Sequence, residues 1–231
     1  MYQTAFAQRI PVDYQSYSID GQVKKDTSML NFLAVYKDSL SKTMNQVIGF
    51  SLNGLYKKQP ESGLGNFMAD AIKEIGQEVF KEKIDAAFVN FGGVRSYFPK
   101  GDITVGHVFE LMPFDNLLVL QHVRGDSLLS FMNHIAKKNG WPVSGVTMTI
   151  KDSRAANVLI NNQPIVADNI YVIANSDYIA NGGDDTKMLK SFKLTSKGYL
   201  IRDALLTYTK RLTEKGESID VKLQKRIVYE H

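Results

Sequence analysis

Apolar positions along the chain alternate between helical and strand spacing, and the pattern divides the sequence into elements. Met29, Leu30, Leu33, Tyr36 and Leu40 share one stripe of a helix entered through Asp26 or Thr27. Leu64, Phe67, Met68, Ala71, Ile72 and Ile75 predict a second helix over about residues 64–80 that buries this face. Thr104 caps a short helix over 105–111 that Pro113 stops, and Asp126 caps another over 127–138, closed by Asn139-Gly140. Leu200, Ala204, Leu205, Tyr208 and Leu212 predict a last helix over about 197–215. Short β-prone runs place strands at 14–19, 47–52, 86–89, 116–123, 143–150, 158–160 and 170–174, with a closing strand pair across 219–228. Residues 54–63, 98–102 and 175–185 read as loops. This interleaving implies an α/β (mixed α+β) fold with a mixed β-sheet packed by helices. Residues 1–25 form an N-terminal extension with the first strand, and 26–231 one domain, with no internal repeat or obvious linker.

Composition sharpens this picture by exclusion. With 231 residues, 44% hydrophobic and 23% charged, the chain can bury a real core. Its formal charge of +4 is mild and scattered, so nucleic acid is not an expected partner. The absence of cysteine removes disulfides, thiolate metal sites and cysteine nucleophiles. No apolar run reaches the ~18 residues of a membrane span. Met1 to Arg9 lacks the basic start and apolar centre of a signal peptide, so either the chain is cytoplasmic or an export signal was removed.

Three segments at strand ends carry candidate chemistry, since ligands of α/β proteins bind in the crevice beyond strand ends. The first is Asn90-Phe91-Gly92-Gly93-Val94-Arg95. Its glycines permit positive φ or a close approach to a ligand, and Arg95 offers a planar fork to carboxylate or phosphate. The same residues also make an ordinary strand-to-turn junction with a surface arginine. The second is Met112-Pro113-Phe114-Asp115-Asn116 and the third Asn175 to Asp185. Phe114 and Tyr178 are each either a core plug or one plate of a sandwich around a flat ring, a stack worth roughly 1–3 kcal/mol per face. Asp184 either caps a turn or accepts hydrogen bonds from two vicinal hydroxyls. Spacing alone leaves these alternatives open.

The motifs in order resemble one family. Leu64-Gly65-Asn66-Phe67-Met68-Ala69-Asp70-Ala71, Asn90 to Arg95, Gly101-Asp102-Ile103-Thr104 leading to Met112 to Asn116, Val123 to Leu128, Asp177 to Asp184 and Lys225-Arg226-Ile227 together resemble the C-terminal domain of 5′-nucleotidases, over about residues 40–228. That family includes periplasmic UDP-sugar hydrolases and ecto-5′-nucleotidases. The resemblance implies a domain that binds the nucleoside part of a substrate. Phe114 and Tyr178 would stack on the base, Asn90 would meet its edge, Arg95 would hold the phosphate or ribose side, and Asp184 would take the ribose hydroxyls. Gly92, Gly93, Gly182 and Gly183 would let the backbone pass close to the ligand. Tyr178 stands where phenylalanine is usual, and Glu78 lies about where some members carry a further arginine.

The family's catalysis comes from a separate metallophosphatase domain with two metal ions, and its motifs are absent here. None of His107, His122, His134 and His231 lies in an Asp-x-His, Asn-His-Asp or Gly-His-x-His pattern. No P-loop or nucleophile elbow is present either. The expectation is therefore a nucleotide- or nucleoside-recognising specificity half with no catalytic residue, no metal and no cofactor of its own. Its divalent metals would sit on a metallophosphatase polypeptide that is its partner, in the periplasm or at the cell surface. The alternatives are a non-catalytic nucleoside-binding protein and a protein-interaction scaffold.

Overall fold

A computed structural model describes residues 13–21 and 23–230, so Met1 to Arg9 and His231 lie outside the described residues. Residues 1–40 and 41–231 form two compact units.

In the first unit, the strand expected at 14–19 does not form. These residues are irregular, with Tyr14, Tyr17 and Ile19 exposed. No strand lies alongside them among the described residues, and a lone extended segment gains no ladder of hydrogen bonds. Helix α1 (Thr27–Met44), all but its last four residues in this unit, begins as its cap predicts, the Ser28 and Met29 N–H groups donating to Asp26 Oδ1 at 2.9 and 3.1 Å. Its apolar stripe stays uncovered: Met29, Leu30, Leu33, Tyr36 and Leu40 are 49–56% exposed.

In the second unit, chain order gives β1 (Val47–Ser51), α2 (Gly63–Phe80), β2 (Ala86–Phe88), β3 (Gly101–Thr104) and α3 (Val105–Leu111). Next come β4 (Leu117–Arg124), α4 (Gly125–Lys137), β5 (Val143–Ser144), β6 (Val146–Lys151), β7 (Arg154–Ile160) and β8 (Gln163–Pro164). The chain closes with β9 (Ile170–Ser176), α5 (Asp177–Ala180), β10 (Leu194–Leu200), α6 (Ile201–Glu214) and β11 (Ile227–Tyr229). A five-stranded mixed sheet, β10-β4-β9-β2-β5, occupies the centre, with β2 and β9 parallel and its other pairs antiparallel. A four-stranded sheet, β11-β6-β7-β8, and the pair β1-β3 complete the strands.

Side chains alternate across the central sheet and divide the core into two. Ala87, Leu118, Leu120 and Ala174 pack with the buried faces of α2, α3 and α6. Ala86, Phe88, Val123 and Ile173 pack with α4 and the inner face of β6. Helix α2 buries the stripe read from the sequence, Leu64 through Ile75, and Ser62 caps it by accepting from the Gly65 N–H at 3.0 Å. Helix α3 is closed at its start by a reciprocal pair, Thr104 Oγ1 accepting from His107 N–H and His107 Nδ1 from Thr104 N–H.

Several boundaries differ from expectation. Gly101 and Asp102 are not loop but strand, facing Ser51 and Phe50 across β1-β3. The run 143–150 breaks at Gly145, whose φ of +75° ends β5, and β7 reaches back to Arg154. Residues 197–200 belong to β10 instead of opening the last helix: the strand bulges after Ser196 and pairs with β4 again at Leu200, opposite Leu117. Asn175 and Ser176 continue β9, and 177–180 form α5 instead of loop. At the end of the chain only β11 is a strand, while Ile219 makes a single bridge to Ser51.

Helix α4 starts at Gly125, two residues before the sequence places it, because Arg124 takes the extended cap conformation. Gly125 has no room for a side chain: a Cβ there would lie 2.1 Å from the Val166 carbonyl oxygen and 2.8 Å from its carbon. Both are backbone atoms and cannot rotate away. Gly125→Ala is expected to destabilise the fold by about 1–3 kcal/mol, seen as a lower urea midpoint at unchanged slope.

Candidate functional site

The cleft of interest forms where three strand-end segments of the second unit converge. After β2 the chain turns through Phe91–Gly93, with Gly93 N–H donating to Asn90 O at 3.0 Å. Neither Gly92 nor Gly93 has positive φ. The second is needed instead for proximity, since a Cβ on Gly93 would stand 2.7 Å from Asn90 Oδ1. Arg95 is fixed through its backbone N–H to Leu111 O at 3.0 Å, while its Nη1 donates to Gly92 O at 3.3 Å. Its guanidinium carbon lies 5.9 Å from the centre of the Phe114 ring.

Phe114 lies between α3 and β4 and is 40% exposed; Tyr178, on α5, is 45% exposed. Neither is a core plug. One carboxylate ties the two segments together, Asp177 Oδ1 accepting from Leu117 N–H and Tyr178 N–H, each at 3.0 Å. Ser176 caps α5 through the Ile179 N–H, and the buried Thr186 hydroxyl, at the end of the loop that follows, lies within hydrogen-bond distance of Ile179 O and Gly183 O.

That loop turns at Gly182, where φ is +90°, a conformation that favours glycine. A Cβ on Gly183 would sit 2.5 Å from the Tyr178 ring, so glycine lets the ring lie flat over the turn. Asp184, itself left-handed at φ +51°, is thereby aimed back at both neighbours. Asn90 Nδ2 donates to its Oδ2 at 2.7 Å and the Tyr178 hydroxyl to its Oδ1 at 3.0 Å. Each carboxylate oxygen keeps a lone pair for a further donor.

Asn90, Gly92, Gly93, Arg95, Phe114, Tyr178 and Asp184 line one open cleft of about 360 Å³, while Gly182 and Gly183 shape the loop beneath it. Asn116 also lines the cleft; the sequence places it in the second candidate segment and at a strand start but gives it no binding role. A polar amide two positions after Phe114, at the end of that segment, was the available signal. The arrangement offers two aromatic faces, a cation, a carboxylate and amides that both donate and accept, within a volume suited to a small ligand.

The three histidines among the described residues are used elsewhere. His107 caps α3, His122 meets Glu82 at 2.7 Å, and His134 stands edge-on to Trp141, where burial holds it below the ordinary imidazole value. Among the described residues no three His, Cys, Asp or Glu side chains converge as a metal site, so the residues present do not fit the paired metals of phosphoesterase chemistry. Glu78 forms a two-pronged ion pair with Arg211 of α6, so this position joins helices. No helix among the described residues is long and apolar enough to cross a membrane.

The family description "5′-nucleotidase, C-terminal domain" matches residues 41–191. The chain belongs to that family. A 5′-nucleotidase from Vibrio vulnificus is 27% identical over 230 residues, covering 92% of this chain and 39% of the relative. One from Vibrio parahaemolyticus is 30% identical over 192 residues, covering 76% of this chain and 32% of the relative. The crystal structure of a 5′-nucleotidase precursor from Thermus thermophilus superposes with a TM-score of 0.76 at 26% identity, over 89% of this chain and 43% of that one. The chain thus spans less than half the length of the relatives it matches. As a 5′-nucleotidase C-terminal domain, it has the mixed α/β architecture expected from its motifs.

Proposed function

We propose that the cleft binds the nucleoside portion of a 5′-nucleotide or nucleotide sugar, and that the chain is the specificity half of a metal-dependent phosphoesterase whose catalytic half is a separate polypeptide. The observation that carries this reading is the meeting of Phe114, Tyr178, Asn90, Arg95 and Asp184 in one cleft. A base stacked on the two rings gains roughly 1–3 kcal/mol per face. Asn90 and Asn116 supply amides for its edge. Asp184 accepts from the ribose hydroxyls, and Arg95 faces the phosphate with charge-assisted donors. Hydrolysis would take place at the partner's metals, with this chain holding the substrate in line, and such positioning is worth several kcal/mol of barrier.

Calorimetry with adenosine and AMP tests the binding step. Affinity that persists in EDTA, with no AMP turnover in manganese, zinc or cobalt, is the expected result. No binding of either ligand would remove the nucleoside reading. Binding that no metallophosphatase converts into turnover would favour a non-catalytic nucleoside-binding protein.

Asp184 gives a narrower prediction. Asp184→Asn keeps the shape but loses the charge that two neighbours and the ribose all address. Adenosine affinity should fall by about 1.5–3 kcal/mol, while 2′,3′-dideoxyadenosine, lacking both hydroxyls, should lose far less. Equal losses for the two ligands in a competition titration would contradict the ribose role.

A further inference from the structure

Arg202 is not singled out by any sequence pattern, yet it grips the Phe114 segment from behind. It enters from the first turn of α6 and is 9% exposed. Its Nη2 donates to Asp115 Oδ1 at 2.6 Å, and its Nη1 lies 3.3 Å from Phe114 O and 3.5 Å from Met112 O. The guanidinium carbon stands 4.3 Å from the centre of the Phe109 ring, and the neighbouring Ile201 N–H holds Asn116 O at 3.0 Å. Contacts therefore fall on four of the five residues from Met112 to Asn116, all supplied by two consecutive residues of one helix.

We propose that Arg202 is a positioning residue for base stacking. The inference rests on the nucleoside reading of the cleft. Phe114 is too exposed for packing to fix its ring, so its place depends on where its backbone is held. The Asp115 side chain is 81% exposed, and an ion pair in that setting adds little stability. What the guanidinium supplies is direction: a planar fork that reaches two carbonyls and a carboxylate at once while stacking on Phe109, which an ammonium cannot reproduce. The grip joins the Phe114 plate to α6, as Asp177 joins it to α5. The plate is thus anchored on both sides before a ligand arrives.

The test is a double-mutant cycle in adenosine binding, read by calorimetry, with wild type, Arg202→Gln, Arg202→Lys, Phe114→Ala and Phe114→Ala/Arg202→Gln. Arg202→Gln should weaken binding about five- to tenfold and Arg202→Lys less, part of what the stacked face supplies. In the Phe114→Ala background Arg202→Gln should add no further loss, because the plate it directs is gone. A fluorescent probe, 2-aminopurine riboside, should be strongly quenched when saturating the wild type and less quenched on Arg202→Gln, a difference that a general loss of stability does not produce. Wild-type affinity in Arg202→Gln, or the same fold-loss with and without Phe114, overturns the assignment while leaving the nucleoside reading intact. A wild-type protein that binds neither adenosine nor the probe overturns the nucleoside reading and this inference with it. If Arg202→Gln does not fold, Arg202→Lys and Asp115→Asn carry the test, and wild-type affinity and quenching in both count against the proposal.

Discussion

Phe114→Ala is expected to lower adenosine affinity about five- to 150-fold, the 1–3 kcal/mol that one stacked face supplies, with little change in melting temperature. The ring is 40% exposed, so removing it opens no cavity in either core. Tyr178→Ala should lose a comparable amount and also release one tether of Asp184, whereas Tyr178→Phe should keep the stack. Calorimetric titration of the three variants separates the plate from the hydroxyl. Unchanged affinity in both alanine variants would sink the sandwich assignment.

The largest effect on stability is expected elsewhere. Asp70 of α2 and Arg226, 156 positions apart, meet at 2.7 Å, with side-chain exposures of 26% and 9%. Arg226 Nη1 also donates to Val143 O at 2.6 Å, its Nε and Nη2 reach Gln224 Oε1, and Ser144 Oγ donates to Asp70 Oδ1 at 2.6 Å. The knot fastens the tail before β11 to α2 and β5. Asp70→Ala leaves a buried guanidinium without its counter-charge, and breaking such a pair costs about 3–5 kcal/mol. Chemical denaturation should show that loss, while adenosine affinity of the folded fraction should stay near wild type, because neither residue lines the cleft. An Asp70→Ala protein as stable as wild type would mean that water takes over the vacated partner.

Asp70 and Arg226 belong to motifs that in the sequence looked like part of one signature with Asn90 and Asp184. The structure sorts them into a fastening and a cleft, a distinction that spacing does not carry. Helix α2 was readable because its apolar period is long and both faces of its environment agree with it. The start of α6 was not, because β10 pairs with β4, a partner far away in sequence, up to Ser196 and again at Leu200 across a bulge. The short α5 depends on the Ser176 cap and on Thr186 beneath the loop, and a four-residue helix has no period to detect. The stripe on α1 is helical as its spacing implies, yet period reports helix and not burial. At the cleft, the sequence named Asn90, Arg95, Phe114, Tyr178 and Asp184, which line it, but gave no role to the residues that hold their segments. Asp177 and Arg202 act through carbonyls and N–H groups of other segments, and backbone partners leave no trace in residue type.

The hydrogen bond from Asn90 to Asp184 closes a span of 94 residues across the central sheet. A molecule lodged among Asn90, Phe114 and Asp184 therefore touches points that are near one another only after the whole sheet has assembled. Such a molecule has no counterpart site on the unfolded chain, and at a hundred times its dissociation constant it stabilises the native state by about 2.7 kcal/mol. Occupancy of the cleft and resistance to proteolysis should consequently rise together, making ligand supply a determinant of how long the protein survives.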